Sequence, residues 1–259
     1  MNMYKYILLF SVILSFQEGF SQKNKTILVE YQATKNNFKN TETLIAEKDK
    51  AIYIIDSLLI ENEKNTNIAT FDEYSNKITV SQKTIKLDAT RFYMNQNSDI
   101  IYFTQKFNEE ITIIKDSLSS FNWELQNETK KIDDFTCKKA RANFRGSEII
   151  AWYTEDIGLP FGPWKFKGLP GLILEVYNVN DTNIFHWSVT KIKFPYTKAV
   201  NFNYPEDMKM INYQTVVDDA EEQIKEHLKR SQARVPQGVT LSETTITRSG
   251  IEKIYEWEK

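Results

Sequence analysis

The sequence predicts an α+β fold, mainly antiparallel β: a curved sheet or partly open barrel with one or two C-terminal helices packed on it. Three observations predict it. Strict two-residue alternation recurs along most of the chain, a glycine turn separates two alternating stretches, and helical apolar spacing appears only late.

The first element is a leader. "MNMYKYILLFSVILSFQEGFSQ" has a cation at Lys5, a short apolar run from Ile7 to Phe16, and small residues at Gly19 and Ser21. That is the layout of a secretory signal peptide, so residues 1–21 are expected to be removed, leaving 22–259 as a single β-rich domain. No later stretch is apolar and long enough for a membrane span. "TILVEYQAT" puts Ile27, Val29 and Tyr31 on one face. "FNWELQ" alternates Phe121, Trp123 and Leu125 with polar residues, and "NIFHWSVT" sets Phe185, Trp187 and Val189 opposite His186, Ser188 and Thr190. "CKKARANF" and "SEIIAWYT" flank "RGS", which reads as a hairpin. Alternation with one polar face is the mark of an antiparallel sheet wetted on one side.

Two late stretches read as helix. "NYPEDMKMINY" has Pro205 at a first-turn position followed by Glu206 and Asp207. In "VVDDAEEQIKEHLKRSQ", Val217, Ala220, Ile224 and Leu228 form one stripe, with Glu221–Lys225 and Glu226–Arg230 as i,i+4 pairs. Pro236 and Gly238 are expected to close this helix, which should lie on the sheet.

Formal charge is −2 over 259 residues. That balance argues against a nucleic-acid partner, because phosphate binding needs concentrated basic surface. Neither metal nor cofactor is expected: a structural zinc site needs four closely spaced Cys, His or acidic ligands, and the surroundings of the two histidines, His186 and His227, offer no such set. Cys137 is the one cysteine, so no internal disulfide forms. Lys138, Lys139 and Arg141 beside it make it a candidate thiol nucleophile with His186 as base. A buried structural thiol at a strand start is the favoured reading.

"GLPFGPWKFKGLPGLILEV", from Gly158 to Val176, is the most distinctive stretch. It holds four of the eight glycines and three of the six prolines. Prolines 160, 163 and 170 remove the N–H donors a phosphate cradle needs, and the residues after Gly171 read as a strand, so no helix N-terminus is available. The expected role is to turn a corner: glycines 158, 162, 168 and 171 supply positive φ or close approach, and Leu172 onward enters the core. Trp164 and Phe166 are expected to cap the apolar face, with Lys165 and Lys167 pointing to the opposite side.

The segment from Thr136 to Val176 resembles the GLPGLI family of exported Bacteroidota proteins. It carries the hexapeptide intact at Gly168–Ile173, with "CKKA" at Cys137, "FRG" at Phe144, "AWYT" at Ala151 and "GPWKF" at Gly162. The resemblance implies an exported bacterial protein and assigns no chemistry. With no C-terminal sorting domain evident, a periplasmic location is expected, with extracellular or outer-membrane-associated sites as alternatives. The candidate binding set is Trp152, Gly162, Pro163, Trp164, Phe166, Gly168, Leu169, Pro170 and Gly171, with no catalytic residue. The expected function is a non-enzymatic envelope protein holding an apolar ligand or lipid on a β-sheet scaffold. The alternatives are an interaction module docking on an outer-membrane protein and, last, a thiol-dependent enzyme using Cys137.

Overall fold

A computed structural model describes residues 26–55, 89–232 and 248–258, together with the backbone of four short strands between 58 and 86. The expected signal peptide and the expected helix stop at Pro236 and Gly238 lie outside the described residues.

Two antiparallel meanders share one open sheet. The first consists of β1 (Ile27–Lys35), β2 (Phe38–Ala46), β3 (Lys50–Ile55), β8 (Thr90–Asn95), β9 (Ile100–Phe107) and β10 (Glu110–Ser117). Between β3 and β8, β4 (Leu58–Leu59) pairs with β7 (Ile85–Lys86), and β5 (Ala69–Asp72) with β6 (Lys77–Val80), in separate ladders. The second meander consists of β11 (Glu124–Ile132), β12 (Phe135–Phe144), β13 (Ser147–Thr154), β14 (Leu172–Val179) and β15 (Phe185–Lys193). Strands β1 and β15 join the meanders antiparallel, so a single 12-stranded sheet runs from β11 to β16 (Met210–Asn212). The "RGS" turn is the β12–β13 hairpin, with Arg145 and Gly146 at φ 46° and 83°. Consecutive positive φ values match the right-handed twist of the flanking strands.

Alternation decides which face is packed. On the inner face, Val29, Tyr31, Ala33, Leu44, Tyr53, Ala151, Val176 and Trp187 are essentially inaccessible. Each large apolar side chain so placed contributes about 1.5–3 kcal/mol.

Three expectations need correction. The stretch "NYPEDMKMINY" is not a helix: after a turn, Met210–Asn212 forms β16, parallel to β10 in the register Ile113↔Met210 and Ile114↔Ile211. The edge of β10 carries unpaired backbone groups, and pairing them outweighs the helix-start signal at Pro205; Ile113 N–H donates to Lys209 O at 2.8 Å. The helix α1 (Tyr213–Gln232) does form. It meets the sheet only at its start, where Val217 is buried, while Ile224 is 46% exposed. Thirdly, β11 begins after Phe121 and Trp123, its register shifts between Leu125 and Thr129, and Leu125 is 59% exposed. Leu125 pairs with the buried Ala140 but sits on the outermost strand, and no further strand among the described residues flanks it. No helix among the described residues is long and apolar enough to cross a membrane.

Candidate functional site

The connection from β13 to β14, residues 155–171, lies against the inner face of the sheet. Its backbone polar groups are met internally. Gly168 N–H donates to Pro160 O at 2.9 Å, Leu172 N–H to Ile157 O at 2.9 Å and Ile173 N–H to Phe161 O at 3.0 Å. The Tyr31 hydroxyl donates to Ile173 O at 2.7 Å, and the Trp123 indole to Lys167 O at 2.9 Å. A segment without regular structure can be buried only when its polar groups are satisfied this way.

Its apolar side chains complete the core. Phe161, Phe166 and Leu169 are inaccessible. Trp164, half-buried, stacks on Trp187 with centroids 6.0 Å apart and planes at 5°. Phe144 meets Trp164 edge-on at 5.7 Å. Trp164 has φ 56°, a left-handed conformation that costs an L-residue about 1–3 kcal/mol and persists only where packing over-determines it. Of the expected site residues, Gly162, Pro163 and Gly171 are buried, while Gly168 and Pro170 reach the surface. Trp152 is not brought to them: alternation puts it on the outer face, opposite Ala151 and Tyr153, with the Lys130 ammonium 4.4 Å from its ring centroid.

The glycines divide by cause. Gly168 has φ 93°, and a Cβ on Gly171 would lie 2.0 Å from Thr154 O. Gly158 has open space and no positive φ, so its expected backbone role does not hold.

Lys165 and Lys167 do not point to solvent. Both are buried, because each finds acceptors that the alternation argument could not include. The Lys165 ammonium donates to Asp116 Oδ2 at 2.7 Å and to Glu252 at 2.8 and 3.1 Å. Arg145 binds both Asp116 oxygens, at 2.7 and 3.1 Å, and also bonds Glu252 and Glu256. Tyr213 donates its hydroxyl to Glu252 at 2.9 Å. Burial works against the Arg145 charge, but the three carboxylates hold its pKa above the ordinary arginine value. This network ties the loop, β10, the β12–β13 turn and the C-terminal segment together. Lys167 donates to Asn95 O at 3.0 Å and to Ser98 O, the two ends of the β8–β9 turn. Burial pulls its pKa below the usual lysine value.

A second buried carboxylate, Glu42, accepts from Lys35 at 2.6 Å, Asn40 at 2.9 Å, the Trp187 indole at 2.9 Å and the Tyr53 hydroxyl. It too is fully engaged in structure.

Cys137 is inaccessible, and burial pushes its thiol up to about 11. His186 is bonded to Glu175 at 2.9 Å, and Lys130 bonds the same carboxylate. Among the described residues no group of His, Cys or acidic side chains is arranged to hold a metal ion. Among the described residues, two clefts open at the surface. One, of about 340 Å³, lies beside Arg145, Glu256 and Ser119; the other, of about 250 Å³, lies at the end of the β8–β9 hairpin.

A family model described as "N-glycanase peptide, N-terminal domain" matches residues 46–216. Two crystal forms of PNGF-II align with 75% of this chain, at 18% and 19% identity and TM-scores of 0.51 and 0.49. The chain spans about a third of PNGF-II, 33% and 32% in the two forms. A LolA superfamily protein from Nitrosomonas europaea aligns with 71% of this chain and 92% of its own, at 9% identity and a TM-score of 0.27. No curated protein matches the chain.

Proposed function

This chain belongs to the family of N-glycanase peptide N-terminal domains, and we propose that it is an exported recognition domain with no chemistry of its own. The observation that carries this reading is the engagement of the buried charged groups among the described residues. Lys165, Arg145, Asp116, Glu252 and Glu42 bond to one another or to neighbouring side chains inside the fold. Catalysis needs a base or nucleophile poised toward a substrate. The thiol of Cys137 is buried and held protonated, and His186 is bonded elsewhere.

The family name points to glycan-bearing peptides as the material recognised. We also propose kinship with the GLPGLI family, whose hexapeptide at 168–173 falls within the matched residues. The apolar ligand or lipid is the second reading. The aromatic inner face favours it, but Phe161, Phe166 and Leu169 already occupy that face, so a lipid would have to displace the loop. A surface cleft requires no such movement. The leader at residues 1–21 supports export, with a periplasmic location.

The test uses the full mature chain, a peptide bearing one N-linked glycan, the same peptide without the glycan, and phospholipid vesicles. The expected result is retention of the glycopeptide with its mass unchanged. Release of the glycan would overturn the non-catalytic assignment, and capture of vesicles alone would select the second reading.

A further inference from the structure

We propose that the cleft at the end of the β8–β9 hairpin is a binding site for a neutral saccharide. The inference rests on the recognition reading above and assigns it a place and a ligand chemistry. The cleft lies on the outer face of the sheet. Tyr93 and Tyr102 are cross-strand partners, and the adjacent pair Phe92 and Phe103 belongs to the inner core. Tyr204, carried by the segment that leaves β15, covers them: it stacks on Tyr102 with centroids 4.1 Å apart and planes at 27°, and meets Tyr93 edge-on at 6.4 Å. Asn95, Asn203 and Glu206 complete the rim.

The chemistry of this lining is selective. The Tyr204 ring face turned away from Tyr102 carries negative quadrupole charge and attracts the positively polarised C–H groups on a pyranose face. Amides and a carboxylate supply donors and acceptors for ring hydroxyls. A lipid chain would leave those polar groups desolvated without partners, which is costly. Lys50 and Glu206 both line the cleft, so no sign of charge dominates and a polyanion finds no basic surface. The volume of about 250 Å³ lies just below the roughly 300–1,000 Å³ of drug-sized sites and suits a short sugar.

The site is also held in shape before any ligand arrives. Asn95 Oδ1 accepts from Asn97 N–H at 2.8 Å, and Ser98 Oγ from Ile100 N–H at 3.1 Å. Beneath the turn, Lys167 grips the carbonyls of Asn95 and Ser98. The glycine- and proline-rich loop thus stays out of contact with the ligand and fixes the turn that meets it. Pre-set geometry lowers the ordering cost of binding.

The experiment is an amide-resolved NMR titration of the full mature chain with N,N′-diacetylchitobiose, repeated with the glycopeptide. Shifts should concentrate at Tyr93–Ile100 and Phe202–Glu206. Tyr204→Ala and the exposed Asn203→Ala should each weaken binding at least about tenfold, while Leu125→Ala on the distant edge strand should leave it unchanged. Asn203→Ala guards against a folding defect in Tyr204→Ala. Glycopeptide binding with shifts elsewhere, or unaffected by both cleft variants, overturns the site and leaves the recognition reading standing. Failure of the wild type to bind either sugar probe overturns both.

Discussion

Lys165 sits between two aromatic residues in "PWKFKG", a setting that reads as an exposed lysine on an alternating strip. Its partners, Asp116 and Glu252, lie 49 and 87 residues away in the chain, so no local pattern could announce its burial. Lys165→Met should destabilise the protein by about 3–5 kcal/mol, measured by urea unfolding, because Asp116 and Glu252 would lose a buried counter-charge. A change under about 1 kcal/mol would contradict the network's role. The glycines were more legible, since their requirements are those of the backbone itself. Gly171→Ala drives a Cβ into Thr154 O and should leave little folded protein, whereas Gly158→Ala meets nothing and should melt with the wild type. Cys137 was legible as a buried thiol. It should resist alkylation at neutral pH in the native state and react once unfolded, because burial keeps it protonated.

Among the elements, the strands were read well because period-2 alternation reports directly on a half-buried sheet: Ile27, Val29 and Tyr31 are all buried as the pattern requires. The helix was legible, but not how much of it would pack. Its stripe predicts a partner along the whole length, and among the described residues the fold buries the stripe only at Val217. Val217→Asp should therefore cost more than about 2 kcal/mol, while Ile224→Glu should shift the melting temperature little. Equal losses at both positions would show that the stripe has a partner after all. β16 was missed because three residues carry too little periodicity to register, and its cause lies in the unpaired edge of β10. The loop's glycines and prolines marked an unusual connection, yet its place inside the core depended on Tyr31, Trp187 and Trp123, which lie elsewhere in the chain.

At the scale of the whole molecule, two meanders joined through β1 and β15 are closed on the inner side by the loop and the C-terminal segment. That closure is partly ionic, and so sensitive to acid. For Glu256 and Glu175 burial opposes ionisation, but bonds to Arg145 in one case and to His186 and Lys130 in the other hold both below the usual carboxylate range. A depressed folded-state pKa means the stabilisation is complete above the unfolded value of about 4.3 and disappears as pH falls through the folded values. Thermal stability should thus decline below about pH 4, and Glu256→Gln should lessen the decline. The proposed processing between Ser21 and Gln22 belongs to this scale too. Protein recovered from the cell envelope should begin at Gln22, and a retained Met1 would contradict export.

The central claim is that recognition takes place on the outer surface while the loop stays seated in the core. Hydrogen–deuterium exchange of the full mature chain, with and without the glycopeptide, tests it most directly. The amides of Gly168, Leu172 and Ile173 should exchange only with global unfolding in both states, with new protection confined to residues 93–100 and 202–206. Faster exchange at Gly168–Ile173 on ligand addition, with protection appearing on the inner strands, would contradict it.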